Sequence, residues 1–292
     1  MNPWLLASRP KTLPAAIVPV MVGSALAARA GAFNWQAAAL CLGFALLVQI
    51  GTNFANDYFD FLRGADSPTR VGPRRAVASG LVSPAAMRAA TMAVFGAAFV
   101  VGLGLVRIGG WWLLPLGVVC IACGLAYTGG PYPLAYNGLG DLFVFIFFGL
   151  VAVGASFFVQ AGPLDVDVWM AGSAIGLLST NLLVANNYRD RDGDAAVGKR
   201  TLVVILGERA ARVQYAASNA AAFAVVIALW LRGSSPWLLL PLAVLPLGVW
   251  NVVSLRPRAT SPELIALLGR TAALLLAYGA LLSLGLVLAR MS

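Results

Sequence analysis

Nine stretches of this sequence run for close to twenty residues with scarcely a charge among them, near 13–29, 37–56, 86–106, 111–127, 142–161, 168–188, 212–231, 237–254 and 269–289. A hydrocarbon core about 30 Å thick needs ~20 apolar residues of α-helix, so each run is close to a span in length. In lipid every backbone N–H and C=O must be satisfied within the element, which for runs of this length leaves a helical bundle. The 60% hydrophobic and 11% charged residues agree with this, since a soluble domain carries about 25% charged residues. The expected fold is an all-α polytopic membrane protein, a single domain of about nine transmembrane helices.

Charge sets the sidedness. With the N-terminus inside, 16 of the 20 Lys and Arg fall in inside loops, leaving Arg29, Arg107, Arg232 and Arg290 outside. The positive-inside rule then predicts a cytosolic N-terminus, an external C-terminus and an odd number of spans. The net charge of +9 is spread over short loops, where lipid head groups rather than nucleic acid account for it. Arg9, Lys11 and the run up to Ala25-Leu26-Ala27 also fit a signal peptide. Further membrane helices follow, however, so an uncleaved first helix is expected. Cys120 and Cys123 form a C-x-x-C inside an apolar run and read as small buried hydrophobes, not as a redox pair. The absence of His excludes a Ser-His-Asp triad, an imidazole base and a His-ligated zinc site.

What remains for chemistry lies mostly at two helix ends. The second helix ends in Asn53-x-x-Asn56-Asp57-x-x-Asp60, four residues within one helical face roughly 100° wide. The sixth ends in Asn186-Asn187-Tyr188-Arg189-Asp190-Arg191-Asp192-Gly193-Asp194. There Asn186, Asn187, Asp190 and Asp194 share a face of about the same width, and Asp192 points away. Gly193 is a candidate for ending that helix early. Both ends fall on the cytosolic side, four helices apart. This spacing suggests two four-helix halves, about 9–130 and 138–258, with a ninth helix near 269–289 appended.

Carboxylates and amides converging without His or Cys make an all-oxygen site, which suits hard divalent cations. Mg²⁺ in particular binds through one or two carboxylates plus substrate phosphates. Two facing acidic clusters repel unless positive charge lies between them, and Mg²⁺ carrying a diphosphate supplies it. Arg63, Arg70, Arg74 and Arg75 flank one cluster and Lys199 and Arg200 the other, within reach of phosphate oxygens. If the organic part is an allylic isoprenoid, loss of the diphosphate leaves a carbocation open to an electron-rich carbon, with charge stabilisation as the main catalytic effect. The plainer alternative is that these acids are solvated loop residues paired with nearby arginines, and for Asp66 and Asp192 it stands level. Gly193-x-x-x-x-Gly198-Lys199 is not a P-loop, because Arg200 stands where Ser or Thr must bind Mg²⁺ and a membrane helix precedes it.

Along most of its length the chain resembles the UbiA superfamily of intramembrane prenyltransferases. The resemblance rests on Arg9-Pro10-Lys11-Thr12-Leu13-Pro14, on Asn56-Asp57-Tyr58-x-Asp60 with Gly64-x-Asp66 and Arg70-x-Gly72-Pro73, on Tyr127-Thr128-Gly129-Gly130, and on Gly138-x-Gly140-Asp141. It continues in Asn186-Asn187-x-Arg189-Asp190-x-x-x-Asp194 and Gly198-Lys199-x-Thr201-Leu202. The first and last strings point to the branch that prenylates 1,4-dihydroxy-2-naphthoate for menaquinone synthesis. The resemblance implies a nine-helix bundle around a central cavity, in a bacterial inner membrane, open to the cytosol and sideways to lipid. Asp57, Asp60, Asp190 and Asp194 would hold two Mg²⁺ ions on a polyprenyl diphosphate, with Asn53 and Asn187 assisting. Asn56 and Asn186 would line the substrate site, and Lys199 and Arg63 would contact phosphate. Tyr127 would face the carbocation or the acceptor, or simply anchor at the interface. Arg9 or Lys11 would bind the acceptor carboxylate, or else serve topology alone. Asp141 would be a cavity residue or a helix N-terminal acid. In this branch the acceptor loses its carboxylate as it gains the prenyl chain.

One departure is that Asp66 lies six residues beyond Asp60, whereas the superfamily's common form spaces this later acid by four. Helices seven to nine are apolar and rich in small residues and are expected to line the prenyl-tail tunnel. A sister acceptor such as 4-hydroxybenzoate or homogentisate would use the same chemistry. A cation-coupled carrier also uses repeats and intramembrane acids, but near mid-helix, whereas these sit at cytosolic helix ends beside basic loops.

Overall fold

The structure is a computed structural model that describes residues 2–66, 72 and 74–291. Arg70 and Pro73, both named above, lie outside the described residues. Among these, nine apolar segments form helices: α1 Pro14–Arg29, α2 Trp35–Leu62, α3 Pro84–Gly109, α4 Leu113–Ala126, α5 Gly140–Ala161, α6 Val166–Ala196, α7 Leu202–Gly233, α8 Pro236–Ser254 and α9 Ser261–Met291. The protein is an integral membrane protein. Seven of these helices are long and apolar enough to cross a membrane, and an eighth span forms if Pro3–Thr12 and Pro14–Arg29, bent by 51°, count as one. At about 1.5 Å per residue the 14-residue α4 is shorter than the hydrocarbon thickness, and it leads from the loop after α3 to Thr128 at the end of α2.

The ends follow local chemistry. Asn34 caps α2 by accepting from the Gln36 and Ala37 amides, Ser83 caps α3 ahead of Pro84, and Asp165 and Thr201 cap α6 and α7. Two ends differ from the sequence expectation. Gly193 does not stop α6, which continues to Ala196. A glycine inside a helix costs about 1 kcal/mol, and ion pairs flank this one on both sides, Arg191 to Glu208 at 2.5 Å and Asp194 to Lys199 at 3.4 Å. α7 starts ten residues before its apolar run, because Thr201 caps Leu202–Leu206 as a separate turn. The break is Gly207, at φ 82° and ψ 171°, where a side chain would be strained.

Packing sets α6 at the centre, the most enclosed of the long helices. It lies against α5, α7 and α9, while α2 packs chiefly on α3, and α9 closes the bundle against α1. The α5–α6 contact depends on small residues. A Cβ on Gly149 would come within 2.6 Å of the Gly172 carbonyl and of the Gly176 Cα, so the backbones touch across a Gly-x-x-x-Gly stripe. Beside it, residues 145–151 adopt π-helical geometry.

The loops sort onto two faces. On one, Asp167 receives Arg29 at 3.0 Å and Arg232 at 2.8 Å, while Arg290 donates to the Ala28 carbonyl, so three of the four arginines assigned to the outside meet there. On the other, the ends of α2, α4 and α6 come together.

Candidate active site

The first acidic end is assembled by two loops that dock on it. Asp57 is 1% exposed, and its Oδ2 accepts from the Ala76 amide at 3.0 Å. That amide is held because Ala76, Val77 and Val82 pack with Phe54 and Met87 in a small apolar cluster. Asp57 Oδ1 is buried without a partner among the described residues. A buried charged acceptor left so is costly unless something arrives to meet it. Asp60 accepts from the Tyr136 hydroxyl at 2.8 Å and lies 3.7 Å from Arg75, which also reaches Asp66 at 3.2 Å. Asp66 is thus an arginine partner here.

Asn53 turns away from the acids. Its amide nitrogen donates to the Ser8 carbonyl at 2.9 Å and to Thr12 Oγ1 at 3.2 Å, and Gln49 donates to the same hydroxyl. Together they pin the Arg-Pro-Lys-Thr turn over the end of α2. In that turn Arg9 is held in the left-handed region at φ 52°, which a non-glycine residue adopts only where its surroundings impose it. Its charge acts on Asp57 and on Tyr127, whereas Lys11 is exposed. Asn56 accepts from Thr128 Oγ1 at 2.8 Å, latching the loop after α4.

The second end carries its own counter-ions. Asp190 is held by one edge of Arg189, from Nε at 2.6 Å and Nη2 at 2.7 Å, and Nη2 also donates to Asn186 Oδ1 at 2.8 Å. Lys199 pairs with Asp194. Asn187 is buried on the same helix, a turn before Asp190. Asp192 is largely exposed and pairs with half-buried Arg191, and it borders the same polar cavity as Asp190 and Asp194.

Tyr136, which the sequence did not single out, joins the two ends. Its hydroxyl meets Asp60, Arg63 lies 5.0 Å and Lys199 5.5 Å from its ring centre, and its carbonyl accepts from the Arg200 amide at 3.1 Å. Burial, reinforced by the Asp60 carboxylate, holds this phenol well above its ordinary titration range, so it stays a donor. Arg63 is clamped to the carbonyls of Thr128 and Gly130. Asp141 lies in the first turn of α5 and is buried against Gln214 Nε2 at 2.9 Å, which favours the helix-acid reading.

Two hollows adjoin this junction. A polar cavity of about 540 Å³ is lined by Ala65, Arg189, Asp190, Asp194, Glu208 and Arg258, among others. An apolar cavity of about 160 Å³ reaches from Val20, Cys41 and Val159 up to Gln49, Thr52 and Tyr127. The apolar cavity is built by α1 to α5 and not by the last three helices, which corrects the expectation for the tail tunnel. The last three are filled instead by the main apolar core, with Leu267, Leu274 and Tyr278 of α9 fully buried. Cys120 and Cys123 line the apolar cavity as free thiols. Among the described residues no three acidic, His or Cys side chains converge closely enough to hold an ion by themselves.

The chain is 39% identical to the 1,4-dihydroxy-2-naphthoate octaprenyltransferase of Mycobacterium tuberculosis over 94% of its own length and 93% of the relative's. It is 34% identical to the protein of the same name from Bacillus subtilis, over 98% and 92% of the two chains. The fold matches a UbiA homolog from Archaeoglobus fulgidus, solved with GPP and Mg²⁺, at a TM-score of 0.68 and 15% identity, covering 96% of this chain and 99% of that one. Residues 16–267 match the model of the UbiA prenyltransferase family, and the chain belongs to that family.

Proposed function

We propose that this protein transfers a polyprenyl group from a polyprenyl diphosphate to 1,4-dihydroxy-2-naphthoate, at the cytosolic face of a bacterial inner membrane. The observation that carries the reading is the junction at Tyr136, which bonds Asp60 and lies beside Lys199, together with a polar cavity at the Asp190 and Asp194 end and an apolar cavity that reaches Tyr127. Such a site suits a substrate with an anionic head and a hydrocarbon tail. Relatives of 34% and 39% identity carry the naphthoate name, which favours that acceptor over 4-hydroxybenzoate or homogentisate.

In the reaction the allylic C–O bond to diphosphate breaks and a C–C bond forms at the ring carbon that bears the carboxylate. That carboxylate leaves as CO₂, giving the demethylmenaquinol skeleton. Asp57, Asp60, Asp190 and Asp194 are the residues that would hold Mg²⁺. The fit is supported by the all-oxygen donor set and by the partnerless Asp57 Oδ1. Because the side chains do not form a cage of their own, phosphate oxygens would complete the coordination, as Mg²⁺ prefers. Bound there, Mg²⁺ supplies positive charge to the departing diphosphate.

The chain's own groups do the rest. Lys199, now on Asp194, is within reach of diphosphate oxygens released into the polar cavity. Tyr127 borders the apolar cavity and faces the acceptor or the developing cation. Arg9, turned inward and held under backbone strain, is the candidate for the acceptor carboxylate. The first isoprene units would occupy the apolar cavity, whose lining excludes water from the cation.

Purified protein supplied with a prenyl diphosphate, Mg²⁺ and 1,4-dihydroxy-2-naphthoate is expected to give a prenylated, decarboxylated product, and EDTA is expected to stop turnover. Activity that survives chelation would remove the metal reading. Activity with only another acceptor would move the protein to a sister branch.

A further inference from the structure

Arg189 is the most deeply buried cation in the second acidic end, with a side chain 1% exposed. Neighbouring side chains on a helix diverge, so residues i and i+1 do not normally face one another. Arg189 nevertheless curls round to grip both oxygens of Asp190 and, with Nη2, also Asn186. These bonds use three of its five N–H groups. The remaining nitrogen, Nη1, is buried without a partner among the described residues, although Arg189 lines the polar cavity together with Asp190 and Asp194.

A guanidinium braced on one edge and empty on the other is a preorganised fork. Planar, permanently charged and weakly hydrated, it suits an incoming oxyanion better than an ammonium does. A group that only steadied Asp190 would not need a second buried nitrogen left unpaired, among the described residues, on a side chain that lines a polar cavity. A cation buried in a membrane helix is also costly enough to point to a functional role, even when paired.

We propose that Arg189 is an oxyanion-binding residue, its Nη1 taking an oxygen of a bound substrate while its other edge holds Asp190. The inference rests on the prenyl-transfer reading, which offers two oxyanions, the diphosphate of the donor and the carboxylate of the acceptor.

Equilibrium binding to detergent-solubilised full-length protein separates the two. One arm titrates inorganic diphosphate, with Mg²⁺ and again with EDTA, and the other titrates 1-hydroxy-2-naphthoate, a carboxylate analogue lacking the second ring hydroxyl. Arg189→Gln is expected to weaken one of the two probes at least tenfold and leave the other within about threefold. The affected probe identifies the oxyanion. Arg189→Lys, which keeps the charge but not the fork, is expected to fall between, and it decides the matter alone if the glutamine variant does not fold. Unchanged binding of both probes overturns the proposal. So does a loss confined to diphosphate with Mg²⁺, because Arg189 would then act only through Asp190, and so does an equal loss of both probes. If the unmodified protein binds neither probe, the prenyl-transfer reading itself fails.

Discussion

At the end of α2 the carboxylates are met by groups from elsewhere in the chain, and at the end of α6 they are met by their own neighbours. Asp57 takes its amide from Ala76, 19 residues on, and Asp60 its hydroxyl from Tyr136, 76 residues on. Asp190 is gripped by Arg189 next to it, and Asp194 pairs with Lys199 a turn beyond. The first end is therefore complete only once two loops have docked, and it keeps one carboxylate oxygen without a partner. In the second, each of the two acids is already paired with a cation within five residues of it. Similar acids at similar places in two halves of a bundle thus carry different electrostatic burdens, so equal substitutions should have unequal consequences. Such a pair is what the proposed duplication of four-helix units, 9–130 and 138–258, would give once the two copies had diverged.

The largest expected effect breaks the comparison most cleanly. Asp57→Asn and Asp190→Asn should each lower turnover on the order of 10²–10³-fold, as losing a charge-stabilising group does. Their stabilities should part. Asparagine at 57 can still accept from Ala76 and removes a buried charge whose Oδ1 has no hydrogen-bond partner among the described residues, so the thermal midpoint should stay or rise. Asparagine at 190 strands the Arg189 guanidinium, and breaking a buried pair costs about 3–5 kcal/mol. Unfolding monitored in detergent reads this directly. Equal midpoints for the two variants would show that the second end has no special dependence on its internal pair.

Next in size is the link between the ends. Tyr136→Phe removes the hydroxyl from Asp60 but leaves the ring between Arg63 and Lys199. A hydrogen bond to a charged group contributes about 1.5–3 kcal/mol, on the order of ten- to a hundredfold in kcat/KM if it is used in the transition state. Combining it with Asp60→Asn should add little further loss. Full additivity would mean that Tyr136 and Asp60 act separately and that the junction is only a packing contact.

The helices and the acidic helix ends were legible because hydropathy and helical periodicity are local properties. Arg29, Arg232 and Arg290 were assigned to one side by counting alone, and they do meet at one face. Partner choice was not legible, because it is tertiary. Nothing near Asn53 says that its amide will pin Ser8 and Thr12, and nothing near Arg63 says that it will be spent on the carbonyls of Thr128 and Gly130. The apolar cavity fell to α1 to α5 because α9 fills the space among the later helices, and uniform hydrophobicity carries no sign of that. Arg189 did leave a signal: it is a charge carried in a long membrane helix, next to an acid, where burial is expensive.

The smallest effect tests the boundary of the second end. Asp192 lies between Asp190 and Asp194 in sequence, yet its side chain is 87% exposed and meets only Arg191, itself a third exposed. A pair so solvated contributes about 0–1 kcal/mol, and its field is screened within a Debye length at physiological salt. Asp192→Ala should therefore leave kcat/KM within about twofold and stability within about 0.5 kcal/mol. Helical periodicity and burial thus assign three acids within five residues two different fates. A tenfold loss of activity in Asp192→Ala would mean that α6 turns or unwinds when substrate binds, and the face that defines the second end would have to be redrawn.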